Sequence, residues 1–371
     1  MIKVGVTGSN GFIGWHLCQI LKLHIDSFEI IDFNRSWFEN TNELDNFVSN
    51  CDIIIHLAGL NRHSEESAIY DTNIGLANKL VDAFNRTNFN GQVLFSSSIQ
   101  EERNNVFGNS KKEARAIFSK WAKDNGAEFK GLIIPNVFGG FGVPFYNSVV
   151  ATFSHQLVNN ESPKIENDAT LNLIYINDLI KAIIDLFNKE TEEIVSIQCT
   201  DTYKVSQILQ LLNQFKQTYF DKGQIPSFQN QFEINLFNTF RSYINLSTYF
   251  PVKYKNNIDE RGNFVEIIRL ETGGQVSFST TKPEITRGNH FHTRKIERFS
   301  VIKGKALIQL RKIGTNEVFD YHLSGDEPAY VDMPIWFTHN IKNIGDEELY
   351  TMFWINELYD SKDPDTYFEK V

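Results

Sequence analysis

The sequence predicts an α/β domain built on a doubly wound parallel sheet, followed by an all-β domain of sandwich or small-barrel type. Residues 1 to about 245 alternate short apolar runs with amphipathic helical stretches, the pattern of a parallel sheet covered by helices on both faces. From about residue 257 onward, short alternating segments punctuated by Gly, Asp and Pro take over, the pattern of an antiparallel all-β unit. The polar, Gln- and Asn-rich stretch "GQIPSFQNQFEINLFN" comes shortly before this change of texture, and the boundary is placed between residues 247 and 248, giving domains 1–247 and 248–371.

Taken in order, "IKVGVTG" reads as a buried strand and "FIGWHLCQILKL" as the helix behind it. "FEIID" and "DIIIHLAG" are the next strands, and "NIGLANKLVDAF" is a helix. Then come the strand "GQVLFSSS", a helix from about Ser110 to Asn125, and the strand "FKGLIIP". "LNLIYINDLIKAIIDLF" is a short strand feeding a helix, and "KVSQILQLLNQFKQ" is a further amphipathic helix. In the second texture the strands are "NFVEIIRL", "GQVSFSTT", "ERFSVIKGKALIQLR", "VFDYHLS", "PAYVDMP" and "LYTMFWIN".

Composition narrows the function classes. With 371 residues, 41% apolar and 31 of them Phe, the chain can bury two sizeable cores. A net charge of -10 argues against a nucleic-acid backbone as main partner, while leaving a local pocket free to hold a small anion. Cys18, Cys51 and Cys199 show no paired spacing, which suits a reducing cytoplasm. No apolar run approaches the ~20 residues that span a bilayer, so no membrane partner is expected. The opening "MIKVGVTGSNGFIG" leaves no room for a signal peptide.

"TGSNGFIG" places Gly8, Gly11 and Gly14 in a G-x-x-G-x-x-G spacing, with Phe12 among them, between the first strand and the first helix. Glycines there let the backbone approach a pyrophosphate whose charge faces the helix N-terminus. Asp32 lies some twenty residues on, where a carboxylate can hold ribose hydroxyls, and Arg35 nearby can instead meet a 2'-phosphate. The choice between NAD and NADP stays open on these residues.

"TGSNGFIG", "HLAG" (His56, Leu57, Ala58, Gly59), "TNIGLANKL" with Asn73, "LFSSS" and "GNSK" occur in this order, and together they resemble the extended short-chain dehydrogenase/reductase family, whose members act largely on nucleotide sugars. The resemblance implies a Rossmann-like fold, NADP(H) or NAD as cofactor, and cofactor contacts from the glycines, Leu57, Ala58, Gly59, Asn73 and Lys111. It implies that Ser98 orients the substrate carbonyl or hydroxyl. In that family a tyrosine is the acid/base and a lysine lowers its pKa while holding the ribose. Lys111 matches the lysine, but the tyrosine position, four residues upstream, holds Phe107. A phenyl ring donates no proton, and general acid catalysis is typically worth ~10²–10⁴-fold, so hydride transfer to a ketone is expected to be slow here unless another group donates. Ser98 and Tyr146 are candidate donors, and Asn136, Tyr146 and Arg261 are candidate substrate contacts.

In the second half, "EITRGNHFHTRKIERFSVIKG" holds His290, His292 and Glu297 in an H-x-H-x4-E spacing, and "PIWFTHNIKN" supplies His339. Alternation along one strand turns His290 and His292 to the same side. Three imidazoles and a carboxylate suit Zn²⁺, Fe²⁺, Ni²⁺ or Mn²⁺. The arrangement resembles the cupin family of jelly-roll barrels, with Trp336 at the usual glycine of the second motif, where it is expected to narrow the pocket. "DERGNFVEI" and "RGNHFH" also resemble metal-free cupin epimerases and ketoisomerases, in which the counterpart of His290 is a free base and that of Arg261 holds the pyrophosphate. Because His292, Glu297 and His339 complete a set around it, His290 is read as a ligand.

Over its whole length the chain resembles the bifunctional capsular-polysaccharide enzymes of CapF type, which make a precursor of UDP-N-acetyl-L-fucosamine. The supporting stretches include "HLAGLNR", "YNSVVATF", "LNLIYINDL", "DERGNF", "FTHNI" and the tail "DPDTYFEKV". That resemblance implies a cytoplasmic enzyme of two steps on a UDP-linked keto-deoxy-N-acetyl sugar. The cupin inverts C3 of the 4-keto sugar, and the N-terminal domain then reduces the C4 ketone with NADPH. Lys295, His322 and Tyr330 are candidate bases for the first step. Two alternatives remain: a cupin-only epimerase or 3,4-ketoisomerase with a redox-inactive nucleotide-binding domain, and a non-catalytic nucleotide-binding protein. A homodimer or homotetramer is expected.

Overall fold

A computed structural model describes residues 1–259, 262–265, 267–268 and 273–371. By compactness it falls into two units, Met1–Ser148 with Ala169–Lys204, and Val149–Asp168 with Val205–Val371. The texture change at 247/248 falls inside the second of these. No helix among the described residues is long and apolar enough to cross a membrane.

The first unit is a parallel sheet wrapped by helices. In chain order its elements are β1 (Ile2–Thr7), α1 (Phe12–Lys22), β2 (Phe28–Ile31), α2 (Thr41–Ser49), β3 (Ile53–His56), α3 (Glu66–Thr87), β4 (Gln92–Ser98), α4 (Val106–Asn125) and β5 (Glu128–Ile134). After β6 (Asn136–Phe138), α5 (Val149–Val158) belongs to the second unit, and β7 (Thr170–Tyr175), α6 (Ile176–Asp185), β8 (Ile194–Ser196) and β9 (Asp201–Lys204) complete the first. The main sheet runs β2-β1-β3-β4-β5-β8, every neighbouring pair parallel. Its central strands bury both faces, which is why "DIIIHLAG" reads as one continuous apolar run rather than an alternation. Phe47, Phe84, Phe95, Phe118 and Trp121 fill one layer between sheet and helices. Two predicted helices begin earlier than expected: α3 at Glu66 and α4 at Val106, where Asn105 caps the first turn by accepting the Gly108 N–H at 2.8 Å. That earlier start places Phe107 and Lys111 on one face of the same helix, one turn apart.

In the second unit, α5 joins α7 (Val205–Lys216), α8 (Gln231–Arg241) and the short α9 (Leu246–Tyr249). Helix α8 begins inside the polar, Gln- and Asn-rich stretch and runs past its end. Phe232, Leu236, Phe237 and Phe240 recur at helical spacing and are all buried, while the Asn and Gln between them conceal the stripe. The strands are β10 (Val252–Lys253), β11 (Asn256–Asp259), β12 (Gly262–Val265), β13 (Gln275–Thr281), β14 (Thr286–Phe291), β15 (Glu297–Lys303), β16 (Lys305–Lys312), β17 (Val318–Ser324), β18 (Ala329–Met333), β19 (Phe337–Asn343), β20 (Leu349–Ile355) and β21 (Tyr367–Phe368). They form two five-stranded antiparallel sheets, β10-β18-β15-β20-β13 and β17-β16-β19-β14-β21, an architecture consistent with a cupin jelly roll, and a separate β11-β12 hairpin.

Helices and sheet meet around a buried ion pair. Arg298 is 1% and Asp332 0% exposed, on neighbouring strands directly opposite each other. The guanidinium donates twice to the carboxylate, at 2.7 and 3.0 Å, and lies 3.7 Å over the Tyr330 ring. The Tyr219 hydroxyl, from the segment after α7, donates to the same carboxylate at 2.5 Å. Burial disfavours the Arg298 charge, but the Asp332 carboxylate outweighs it and holds the guanidinium protonated. Removing one partner strands a charge in the core. Asp332→Ala is therefore expected to lower unfolding free energy by roughly 3–5 kcal/mol. The triple Arg298→Met, Asp332→Leu, Tyr219→Phe should cost less than that single change, measured by urea unfolding of each variant.

Candidate functional site

The glycine-rich turn joins β1 to α1. Gly8 has φ of +79°, and a Cβ there would sit 2.7 Å from the Ala58 backbone nitrogen, so the loop after β3 closes directly on the turn. A Cβ on Gly14 would lie 2.2 Å from the Gly8 carbonyl oxygen, so α1 packs onto the turn with no room for a side chain. The Gly11 N–H donates to Gly8 O at 2.9 Å. Gly11 caps α1 without a side-chain hydrogen bond, and the first turn carries no acidic residue. The N–H groups of that turn and the positive end of the helix dipole thus suit an anion. Asp32 follows the end of β2 and Arg35 opens the short helical turn Arg35–Glu39; both are exposed.

Asn73, on α3 and 4% exposed, holds the loop after β3. Its Oδ1 accepts the Leu60 N–H at 2.7 Å, and its Nδ2 donates to Leu60 O and to Ser110 Oγ, both at 2.9 Å. It thereby fixes Leu57, Ala58 and Gly59 against α4. Behind them His56 is fully buried, with Nδ1 2.6 Å from the Thr7 hydroxyl, and burial followed by the Lys111 charge pulls its pKa to about 3, so it is neutral. Lys111 lies close by: a Cβ on Gly59 would be 3.5 Å from its Nζ, and Nζ is 4.6 Å from the centre of the Phe95 ring. Among the described residues the ammonium makes no hydrogen bond, and burial, partly offset by Glu101, pulls its pKa down to about 8. Ser98 ends β4 and accepts the Gln100 N–H at 3.2 Å. Phe107 is half-buried in the first turn of α4, where its carbonyl accepts the Ser110 hydroxyl at 2.8 Å. Asn136, on β6, donates to Asn172 O at 3.1 Å, and Tyr146 sits in the loop that Arg62 ties down through Phe145 O at 2.9 Å. Sequence reading gave His56 and Phe95 no role although they stand inside "HLAG" and "LFSSS", and it passed over the Glu101–Arg115 pair, at 2.7 Å, because its partners lie far apart in the chain.

In the barrel, four side chains from three strands and one loop meet. His290 is near the end of β14, His292 just beyond it, Glu297 opens β15 and His339 is in β19. Their ligand atoms all lie within 4.8 Å of one another. Glu297 Oε2 is 3.1 Å from His292 Nε2 and 3.3 Å from His339 Nε2. The pairing explains the convergence. His290 stands opposite His339, but Gly288 stands opposite Asn340, so Asn289 is an extra residue that bulges the strand. Gly288 (φ +95°) and Asn289 (φ +60°) take the left-handed backbone the bulge requires.

The remaining imidazole nitrogens are fixed by backbone carbonyls. His292 Nδ1 meets Asp365 O at 2.5 Å, and His339 Nδ1 meets Phe337 O at 3.2 Å. Each therefore turns Nε2 inward as a lone pair, the arrangement of metal-ligating histidines. His292 Nε2, Glu297 Oε2 and His339 Nε2 are buried without a hydrogen-bond partner, so the donor set fits a divalent cation. Burial, then the His339 and His292 rings, pulls His290 down to about 4, leaving its imidazole neutral. Burial pushes the Glu297 carboxyl up, but His292 and His339 outweigh it and hold it well below the usual carboxylate range.

Other expectations for this half come out differently. Trp336 adopts φ of +63°, a conformation glycine takes freely, yet its ring does not narrow the ligand pocket. It stacks on Phe291 at 5.6 Å, and Phe291 points away from His290 and His292 on alternate sides of the chain. Tyr330 and His322 face away from the ligands: Tyr330 shares the Arg298–Asp332 face of its sheet, and His322 is exposed on the edge strand β17. Lys295 donates its ammonium to Pro364 O at 2.6 Å. Arg261 lies outside the described residues.

Residues 4–197 match the NAD dependent epimerase/dehydratase family, and residues 257–367 match the polysaccharide biosynthesis C-terminal domain. The chain is 32% identical to the UDP-2-acetamido-2,6-beta-L-arabino-hexul-4-ose reductase of Pseudomonas aeruginosa, across 99% of this chain and 98% of that one. The chain belongs to the NAD dependent epimerase/dehydratase family. Within it, the chain is a homologue of the capsular polysaccharide assembling protein CapF from Staphylococcus aureus, whose crystal structure matches at 33% identity over 100% of both chains with a TM-score of 0.62. A UDP-glucose 4-epimerase from Thermotoga maritima, 18% identical over 65% of this chain and 98% of its own, with a TM-score of 0.56, shares the fold of this family.

Lys111 yields a prediction with a definite sign. Its ordinary pKa is ~10.4, so between that value and about 8 the unfolded chain holds a proton that the folded chain has lost. Stability then rises with pH across this window, and the burial penalty is fully present below it. Lys111→Met is expected to stabilise the cofactor-free protein at pH 7 by ~1–3 kcal/mol, with the gain shrinking towards pH 10. The same variant should bind NAD(P)H more weakly, as followed by urea unfolding at both pH values and by fluorescence titration of the cofactor.

Proposed function

We propose that this chain is a bifunctional nucleotide-sugar enzyme. Its barrel epimerises C3 of a UDP-linked 4-keto-6-deoxy-2-acetamido sugar, and its parallel-sheet unit reduces the C4 ketone with NADPH. The observation that carries the reading is the buried His290–His292–Glu297–His339 set, in a chain that aligns end to end with a UDP-hexul-4-ose reductase. The chemistry orders the steps: a C4 ketone acidifies the C3 hydrogen, and its reduction afterwards locks the new configuration.

In the barrel, His290, His292, Glu297 and His339 would hold a divalent ion such as Zn²⁺, which when bound supplies Lewis-acid stabilisation of a developing enediolate. The chain itself keeps Glu297 ionised, holds His292 and His339 in the tautomer that presents Nε2, and excludes water from both. In the other unit, the Gly8–Gly14 turn and the N-terminus of α1 would receive the cofactor pyrophosphate, and the buried Lys111 ammonium would meet the ribose. Ser98 would orient the sugar carbonyl. Phe107 offers no proton to the alkoxide that hydride transfer leaves, so reduction is slow or takes its proton from another donor. That observation favours a second reading, in which the barrel alone is catalytic and the parallel-sheet unit binds nucleotide without redox chemistry.

The two are separated on one preparation. With a UDP-4-keto-6-deoxy-2-acetamido sugar in deuterated water, deuterium should appear at C3, and its absence would sink the barrel assignment. NADPH oxidation with the same substrate is expected to be slow and to rise by ~10²-fold or more in Phe107→Tyr. If neither the wild-type chain nor Phe107→Tyr oxidises NADPH, the second reading stands. Added Zn²⁺ should raise the thermal midpoint of the chelator-treated chain, and Glu297→Ala should abolish that rise in a calorimetric scan.

A further inference from the structure

The ligands His292 and Glu297 are joined by a loop with no regular structure of its own, because β14 ends at Phe291 and β15 begins at Glu297. The backbone of that loop finds its partners in the C-terminal segment. Asp365 is 2% exposed, and its carboxylate accepts the N–H groups of Thr293 (3.0 Å), Arg294 (3.0 Å) and Lys295 (3.2 Å) together with the Thr293 hydroxyl (2.7 Å). Its carbonyl oxygen is the one that meets His292 Nδ1. One residue therefore closes the loop through its side chain and sets the ligand's tautomer through its backbone. Asn356 secures the other end of the loop, exchanging hydrogen bonds with Ile296 at 2.9 and 3.1 Å.

The tail also grips the strand that carries His290. Phe368 and Tyr367 of β21 pair with His290 and Phe291 on the free side of β14. The Glu369 N–H donates to Asn289 O at 3.0 Å, at the bulge itself, and Arg311 holds the Glu369 carboxylate at 2.9 Å. A buried carboxylate ringed by N–H donors is costly to leave unpaired, so the loop and the tail order one another.

We propose that Asp365 is a positioning residue of the metal centre, and that the C-terminal segment from Asp363 to Val371 is a latch that preorganises His290, His292 and Glu297 for the ion. The proposal rests on the metal reading of that set. Backbone carbonyls and carboxylates behind ligating histidines typically contribute 10–100-fold in metal affinity.

The test uses the full chain, stripped with a chelator and titrated with Co²⁺, reading the d–d absorption spectrum and the affinity in competition with a chromophoric chelator. NADP(H) binding serves as the readout of folding in the other unit. Asp365→Asn keeps the shape but turns an amide N–H towards three N–H donors. It is expected to bind Co²⁺ at least ~10-fold more weakly, with an altered spectrum and unchanged NADP(H) binding. Asp365→Glu should recover part of the affinity, and a chain ending at Asp363 should lose as much as Asp365→Asn or more. Wild-type affinity and spectrum in Asp365→Asn would overturn the latch whatever the shortened chain does. Wild-type protein that takes up no Co²⁺ would overturn the metal reading and this proposal with it, whereas normal wild-type uptake with unchanged variants overturns the latch alone.

Discussion

Three imidazoles and a carboxylate occupy a space in which their ligand atoms lie within 4.8 Å of one another, almost entirely out of water. Electrostatics tolerates this in few ways. A lone buried carboxylate is costly, and protonating the rings around it multiplies buried cations. A divalent ion resolves both difficulties, because it needs neutral imidazoles and an ionised carboxylate; the backbone carbonyls of Asp365 and Phe337 fix which nitrogen two of the rings present, and the neighbouring rings hold Glu297 ionised. The rest of the barrel can be seen as what is required to bring those groups together: a bulge in one strand, a short loop to the next, and a third strand in register opposite the first.

The parallel-sheet unit solves a different problem with a different economy. Its site consists of close backbone approaches that only glycine permits, and of one buried cation, Lys111, held beside an aromatic ring without a hydrogen-bond partner among the described residues. A protein seeking stability alone would not keep such a cation. Under the proposed function, its retention beside a residue that has no phenol would separate two roles that a tyrosine–lysine pair usually performs together: binding the cofactor ribose and delivering a proton. In the proposed reading, position 111 keeps its cation while position 107 lacks a proton donor.

Much of this was legible in the chain itself. The alternation of apolar runs and helices predicts the parallel sheet, because each buried strand must be apolar on both faces. The Gly8–Gly11–Gly14 spacing and the H-x-H-x4-E pattern are local, so they survive reading one residue after another. What stayed hidden depends on distant partners. Helix α8 was masked by its Asn and Gln, two of which, Asn235 and Asn238, are themselves buried, although Phe232, Leu236, Phe237 and Phe240 keep helical spacing. The packing of Trp336 onto Phe291 could not be read from a motif position, since the backbone takes the glycine conformation whichever way the side chain then turns. Asp365 stands in the quoted tail "DPDTYFEKV", but its role gave no signal, because its partners lie some seventy residues upstream.

The bulge at Asn289 carries a wider lesson about sequence length. Because facing residues in a sheet share a side, the extra residue is what lets His290 stand opposite His339 while Thr286 and Arg287 keep their own register with Lys342 and Ile341. Removing Asn289 would slide the upstream half of β14 by one position and exchange the inner and outer faces of those residues. Insertions and deletions are commonly absorbed by exposed segments, yet here, although Thr286 to Gly288 are exposed, the count of residues sets which ring faces His339. For this stretch a change of letter leaves the register standing, whereas a change of count moves it.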